Sequence, residues 1–180
     1  MSILADTQIE DLVQRDLLIS PFDRSALQGA SYDCRLGELF IFGGRPRKIG
    51  SGDPGLALEP GSFVLVTTLE SLKLPLNLIG RSGITSLWAR QGLVCLFSPQ
   101  IDPGFEGVLE VPLFNGGDAQ VHLIPGQRFF TIEFDRMERD ASFAWVDRNG
   151  ADRSEEPAER RSEQRAAGNV IHLPPAADAD

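Results

Sequence analysis

The sequence is poor in the residues that build the commonest metal and redox sites. Its 180 residues include only two cysteines, Cys34 and Cys95, far apart and outside any Cys-x-x-Cys, a pattern that supports neither a disulfide framework nor a thiolate metal site. Histidine is equally scarce. His122 falls in a candidate strand and His172 near the C-terminus, without a partner at metal-ligand spacing, so neither a zinc site nor a Ser-His-Asp triad is expected. Positive charge is short as well: 17 Lys+Arg stand against 26 Asp+Glu, a formal net charge of −9. That balance argues against a general nucleic-acid-binding surface, because affinity for a phosphate backbone requires clustered Lys and Arg, whereas a small anion in a local basic pocket remains compatible with it. No apolar run approaches the ~20 residues that span a bilayer, and the opening MSILADTQIEDL mixes acids with its apolar residues instead of forming an export signal. Neither GxxxxGK[ST] nor a strand-linked GxGxxG occurs, so any phosphate must be held by another device. These absences lead to the expectation of a reduced, cytoplasmic protein with no membrane or nucleic-acid partner.

What is present is an ordinary globular composition, 42% hydrophobic and 24% charged. The opening segment predicts a short amphipathic helix: Thr7 as its cap, Glu10 reaching back, and Ile9, Leu12, Val13 and Leu17 on one face. From Ser31 to about Phe134 the chain turns to short runs rich in Val, Ile, Leu, Phe and Thr, punctuated by GGRP, GDPG, EPGS, DPGFEG, NGGD and IPGQ. Predicted strands are Glu38–Phe42, Ser62–Leu69, Leu93–Phe97, Val108–Asn115, Ala119–Ile124 and Arg128–Phe134, an all-β pattern suited to a sandwich or barrel. Long crossover helices are missing, which disfavours a parallel sheet. Residues 1–145 are therefore expected to form one β domain and 146–180 a polar, mobile tail. Asp147–Ala167 holds almost no large apolar residue to offset the entropy of ordering it. Within the tail, Glu155–Arg165 could form a short exposed helix, and Val170–Leu173 is a small apolar patch.

The stretch Leu74–Asn115, LPLNLIGRSGITSLWARQGLVCLFSPQIDPGFEGVLEVPLFN, is the most informative. Together with SPFDRSALQGASYDCRLG and TLESLKLPLNLIGR, the IDPGFEG segment and its following strand resemble the dCTP deaminase branch of the dUTPase/dCTP deaminase superfamily. The resemblance spans roughly residues 1–134. It implies a mainly β fold, a distorted jelly-roll-like β-barrel of the dUTPase kind with a short N-terminal helix. It further implies a homotrimer with nucleotide sites between subunits, and a hydrolase that deaminates without zinc, Mg2+ accompanying only the triphosphate. The zinc deaminase signature, HxE followed by PCxxC, is indeed missing.

Phosphates need guanidinium and hydroxyl donors, and activating water needs a carboxylate. The family's phosphate motif, [KR]-S-S-L-x-R, aligned without a gap, falls on Thr85, Ser86, Leu87 and Arg90, so Ser86 and Arg90 are the retained ligands. In a second register, Arg81-Ser82-Gly83 reproduces the RSG phosphate motif of dUTPases. Asp102 in IDPGFEG stands where both branches carry an acid, though Asp102-Pro103-Gly104 is also a turn sequence in its own right. Phe105 then lies against the deoxyribose or serves as a core aromatic. The resemblance would place the deaminase's catalytic glutamate at Pro112. Glu110, two residues earlier, shares its sheet face but lies about 7 Å away along the strand, unless a bulge intervenes. Thr131 stands where a phosphate-contacting glutamine is common, and the tail lacks the Tyr/Lys-bearing and Gly-rich lids of the two branches. Arg160, Arg161 and Arg165 could substitute as phosphate ligands or simply be solvated charges. Three functions follow: a dCTP deaminase forming dUTP and ammonia, a dUTPase-like diphosphatase, and a noncatalytic nucleotide-binding or structural relative.

Overall fold

The computed structural model describes residues 2–42, 45–50, 52–96 and 100–145. In chain order the strands are β1 (Ser2–Ile3), β2 (Ile19–Ser20), β3 (Tyr32–Phe42), β4 (Arg45–Lys48), β5 (Leu56–Leu58) and β6 (Phe63–Lys73). They continue as β7 (Leu78–Ile84), β8 (Leu93–Cys95), β9 (Gln100–Ile101), β10 (Glu106–Asn115), β11 (Val121–Leu123) and β12 (Arg128–Arg136). Helix α1 spans Asp6–Asp16, and the one-turn α2 spans Ser86–Ala89. The fold is mostly β, a curled antiparallel sheet with few helices. The strands run β8-β10-β6-β3-β12-β7-β9, with β1 on β12, β2 on β6 and β4 on β3, while β5 and β11 form a separate pair.

Alternation along the strands explains the core. On β10, Leu109, Val111, Leu113 and Asn115 point inward while Glu110, Pro112 and Phe114 face the other side. On β12 the register against β3 shifts between Arg128 and Phe130, and there both Phe129 and Phe130 are fully buried. They join Phe40, Phe134, Tyr32 and Ile132 in one continuous core.

Two expectations about α1 change. The helix begins two residues earlier than Thr7 would set it: Ala5 is the cap, and the Gln8 side chain accepts from the Ala5 amide at 3.0 Å. Leu17 does not join the buried face of Ile9, Leu12 and Val13. It terminates the helix in the left-handed conformation (φ 54°) with its side chain 64% exposed. Strand β7 is not among the predicted strands, because glycine and polar residues interrupt LIGRSGI, yet β12 and β9 hold it on both sides. The expected tail, including Glu155–Arg165 and Val170–Leu173, lies outside the described residues. No helix among those residues is long and apolar enough to cross a membrane.

Candidate functional site

Strand β7 carries Arg81, Ser82 and Gly83 between β12 and β9. Alternation sends Arg81 to the outer face, opposite Glu133 on one side and Gln100 on the other. There Arg81 Nε donates to Asp135 Oδ2 at 2.5 Å. With Asp135 8% exposed and Glu133 alongside, this arginine is already neutralised by its own sheet. Ser82 turns to the opposite face, level with the buried Ile132, and its hydroxyl oxygen is buried with no hydrogen-bond partner among the described residues.

Helix α2 presents the other register. Trp88 is buried and its indole Nε1 donates to the Arg128 carbonyl at 2.7 Å, which fixes the turn of helix against β12. Ser86 and Arg90 are exposed one turn apart, so they share a face, whereas Leu87 projects 61% exposed. The Arg90 guanidinium has no ion pair among the described residues. It borders an open depression of about 490 Å³ also lined by Gln91, Gly92 and the loop Gly116–Val121. That loop's shape depends on glycine: a Cβ on Gly92 would stand 2.5 Å from the Gly117 Cα, and Gly92 has φ +82°. The buried Asn115 holds the loop, donating to the Leu58 and Ala119 carbonyls and accepting from the Gly117 amide. In the sequence Asn115 stands only as the end of a predicted strand; nothing local reveals that its partners lie on β5 and across the loop.

Asp102 follows β9 in the turn Asp102-Pro103-Gly104 and is exposed, with Oδ1 accepting from Gln100 Nε2 at 2.8 Å. Phe105, half-buried, packs against the core on one side and edge-on against Trp145 on the other. Among the residues lining the depression beside Arg90 are neither Asp102 nor Glu110, nor Ser86.

On β10 the register shift falls between Val108 and Glu110, after which Glu110, Val111 and Pro112 pair in regular order with Thr67, Val66 and Leu65. The bulge therefore does not carry Glu110 into the position of Pro112; the two remain two residues apart on one face. Around Pro112 that face is apolar. Phe114 lies between Phe63 and Val94, Pro112 beside Leu65, and Leu65 beside Ile41, with Phe63, Val94 and Leu96 all more than 40% exposed. Thr131 is engaged with Asp33: its hydroxyl donates to Asp33 Oδ1 across the β12–β3 pair.

Behind the sheet, a charged network ties the N-terminal turn to this region. Glu70 is fully buried, accepting from the Arg35 amide at 2.8 Å and from Arg35 Nε at 2.6 Å. Tyr32 Oη lies 3.5 Å from Glu70 Oε1 and accepts from the Asp23 amide. Burial, reinforced by the Glu70 charge, pushes the Tyr32 hydroxyl up to about 12, against the pull of the Asp23 amide and Arg35. Asp23 is held below the usual carboxylate range by hydrogen bonds from the Ser25 side chain and amide, with Arg35 and Arg128 adding to the shift. Burial likewise pushes the Cys34 thiol well up, which leaves it an inert core residue. Among the described residues no group of three or more His, Cys, Asp or Glu is arranged to hold a metal ion.

A family model described as dCTP deaminase-like matches residues 3–137. The dCTP deaminase of Thermococcus kodakarensis is 38% identical over 130 residues, covering 72% of this chain and 82% of that protein. A Persephonella marina protein named "dCTP deaminase, dUMP-forming" is 30% identical over 155 residues, 77% of this chain and 86% of its own length. Among solved structures, the 2'-deoxycytidine 5'-triphosphate deaminase of Agrobacterium tumefaciens superposes with a TM-score of 0.64 at 22% identity, over 73% of this chain and 48% of that one, a likeness of fold. With three quarters of its length matched to one family, this chain belongs to the dCTP deaminase-like proteins.

Proposed function

We propose that the protein is a cytoplasmic, zinc-independent hydrolase that deaminates dCTP to dUTP and ammonia, Mg2+ arriving as part of the triphosphate substrate. The observation that carries the assignment of residues is the contrast between the two arginines. Arg81 is spent on Asp135, whereas Arg90 borders an open depression with its charge unpaired among the described residues and Ser86 on the same helix face. Ser86 and Arg90 are thus the phosphate donors, and Asp102 and Phe105 hold the sugar. The Glu110 carboxylate, on the outer face of β10, takes the proton of the attacking water as its oxygen bonds to C4 of cytosine. The amino group then leaves as ammonia with that proton.

Because neither Asp102 nor Glu110 lines the depression beside Arg90, we infer that a second copy completes the site. The apolar face of Phe63, Val94, Leu96, Pro112 and Phe114 supports self-association, and a homotrimer with composite sites fits both features. A second reading, hydrolysis of dCTP or dUTP to the monophosphate and pyrophosphate, is favoured by one observation. Pro112 offers no proton acceptor where deamination would most need one, while exposed Asp102 could hold a water in either reaction.

Purified protein incubated with Mg2+ and either dCTP or dUTP, with ammonia and pyrophosphate followed separately, tests the assignment. Ammonia from dCTP supports deamination, and pyrophosphate supports the diphosphatase. Neither product would leave a noncatalytic nucleotide-binding or structural relative.

A further inference from the structure

Past Met137, the last residue matched by the family model, the chain runs on to the turn that carries Asp102. The Met137 amide bonds the Asn77 carbonyl at 2.8 Å, and the Ala141 amide bonds Leu76 at 2.8 Å. The chain then passes over the turn itself. The Trp145 amide donates to the Pro103 carbonyl at 2.7 Å, and the Trp145 ring meets the Phe105 ring edge to face, centroids 5.2 Å apart at 62°. Ala144 seals the contact. A Cβ on Gly104 would come within 2.5 Å of the Ala144 side chain, so only glycine, at φ +76°, lets the strap lie this close. From the other side, Leu74 grips the turn through both neighbours, accepting from the Gly104 amide at 3.1 Å and donating to the Phe105 carbonyl at 2.9 Å.

The turn is therefore held in a vice, with the loop around Leu74 on one side and residues 141–145 on the other. Phe105 has two apolar neighbours: the core behind it and the Trp145 ring beside it. Trp145 keeps 39% of its surface exposed, more than a side chain recruited only to fill the core would show.

We propose that Trp145 is a positioning residue for the nucleoside end of the site, acting through Phe105 to fix the Asp102–Phe105 turn against the deoxyribose of a deoxynucleoside triphosphate. This rests on the proposed function insofar as Phe105 faces the sugar. The clamping of the turn stands on the geometry alone. An edge-to-face pair orients as well as packs, because the positive rim of one ring is drawn to the face of the other. Losing the indole would let Phe105 rotate and the wall beside the 2'-carbon recede. The discrimination between a 2'-hydrogen and a 2'-hydroxyl depends on that wall.

The test uses full-length wild-type, Trp145→Ala and Trp145→Phe proteins. For each, dCTP and CTP kinetics are measured by ammonia release, and amide exchange is followed at Gly104 and Phe105 without nucleotide. Trp145→Ala should raise KM for dCTP by about tenfold with kcat changed less than about twofold, and lower the preference for dCTP over CTP by a similar factor. Trp145→Phe, which keeps a ring on Phe105, should recover most of both. Exchange at Gly104 and Phe105 should quicken at least about tenfold in Trp145→Ala while amides of the β12–β3 pair stay unchanged. An unchanged KM and unchanged sugar preference would overturn the proposal, as would a Trp145→Phe protein no better than Trp145→Ala. If the wild-type protein releases no ammonia, deamination fails as the function, and the exchange measurement alone decides the role of Trp145: unchanged exchange at Gly104 and Phe105 overturns it, and selective quickening sustains the clamp.

Discussion

Arg81 and Asp135 meet across 2.5 Å on the outer face of the sheet, residues from neighbouring strands locked into one ion pair. In the proposed site this pairing ties the RSG arginine to its own sheet, and Arg90 is the cation proposed to meet a triphosphate. Replacing Arg90 with alanine should weaken dCTP binding by about tenfold to a hundredfold, the value of a charge-assisted contact to phosphate. Arg81→Gln should instead cost about 1 kcal/mol of stability, because the pair is half-exposed on the arginine side, and leave dCTP affinity nearly unchanged. Calorimetric titration with dCTP beside thermal melts separates the two. Equal losses of affinity in both variants would return Arg81 to the site.

The carboxylates are distinguished by rate. Asp102→Asn should abolish turnover while the assembly, followed by sedimentation, stays intact. Glu110→Gln should slow ammonia release by about a hundredfold, the usual worth of a positioned base. Adding Pro112→Glu to that variant should restore release, since residues 110 and 112 share one face of a regularly paired strand. Normal ammonia release from Glu110→Gln would show that this carboxylate is only a surface group.

The chain contains one tyrosine, so its titration can be seen without interference. Burial raises the folded-state value of Tyr32 from 10.0 to about 12. A raised value means the native state favours the neutral phenol. The associated stability is complete below pH 10 and is lost as pH climbs towards 12. Tyrosinate absorbance should thus rise near pH 12 in the folded protein and near 10 in denaturant. Tyr32→Phe should flatten the loss of stability over that interval. A folded-state midpoint near 10 would contradict the burial seen here.

Leu17 ends α1 at φ 54° with its side chain in solvent, so it bears the strain of the left-handed region with little packing in return. Leu17→Gly should stabilise the protein by about 0.5–1 kcal/mol, the relief of strain exceeding the added chain entropy. A urea melt reads this directly, and a lower midpoint for the variant would mean that the exposed leucine makes contacts worth more than its strain.

Much of this architecture is legible in one dimension. Alternating apolar residues and Gly/Pro punctuation mark β6, β10 and β12, since inward and outward side chains must alternate along any strand buried on one face. DPGFEG announces a turn ending in a strand because proline presets one backbone angle and glycine supplies a positive one, and Gly104 has that angle. The helix start at Ala5 was hidden: alanine has no capping oxygen, and only the Gln8 side chain betrays the cap. Strand β7 was hidden too, because its order comes from β12 and β9 rather than from its own propensities.

The sequence by itself settled the β class and the family and nominated a short roll of polar side chains for the proposed nucleotide site, because these depend on residue types and spacings along the chain. Only the tertiary structure decided which of those side chains are still available. Arg81 finds its counter-ion 54 residues away, the Ser82 hydroxyl is turned into the sheet's buried side, and Phe105 acquires Trp145 as a neighbour. Charge pairing and ring contact act over a few ångströms of space, and strand order alone determines which distant residues come that close.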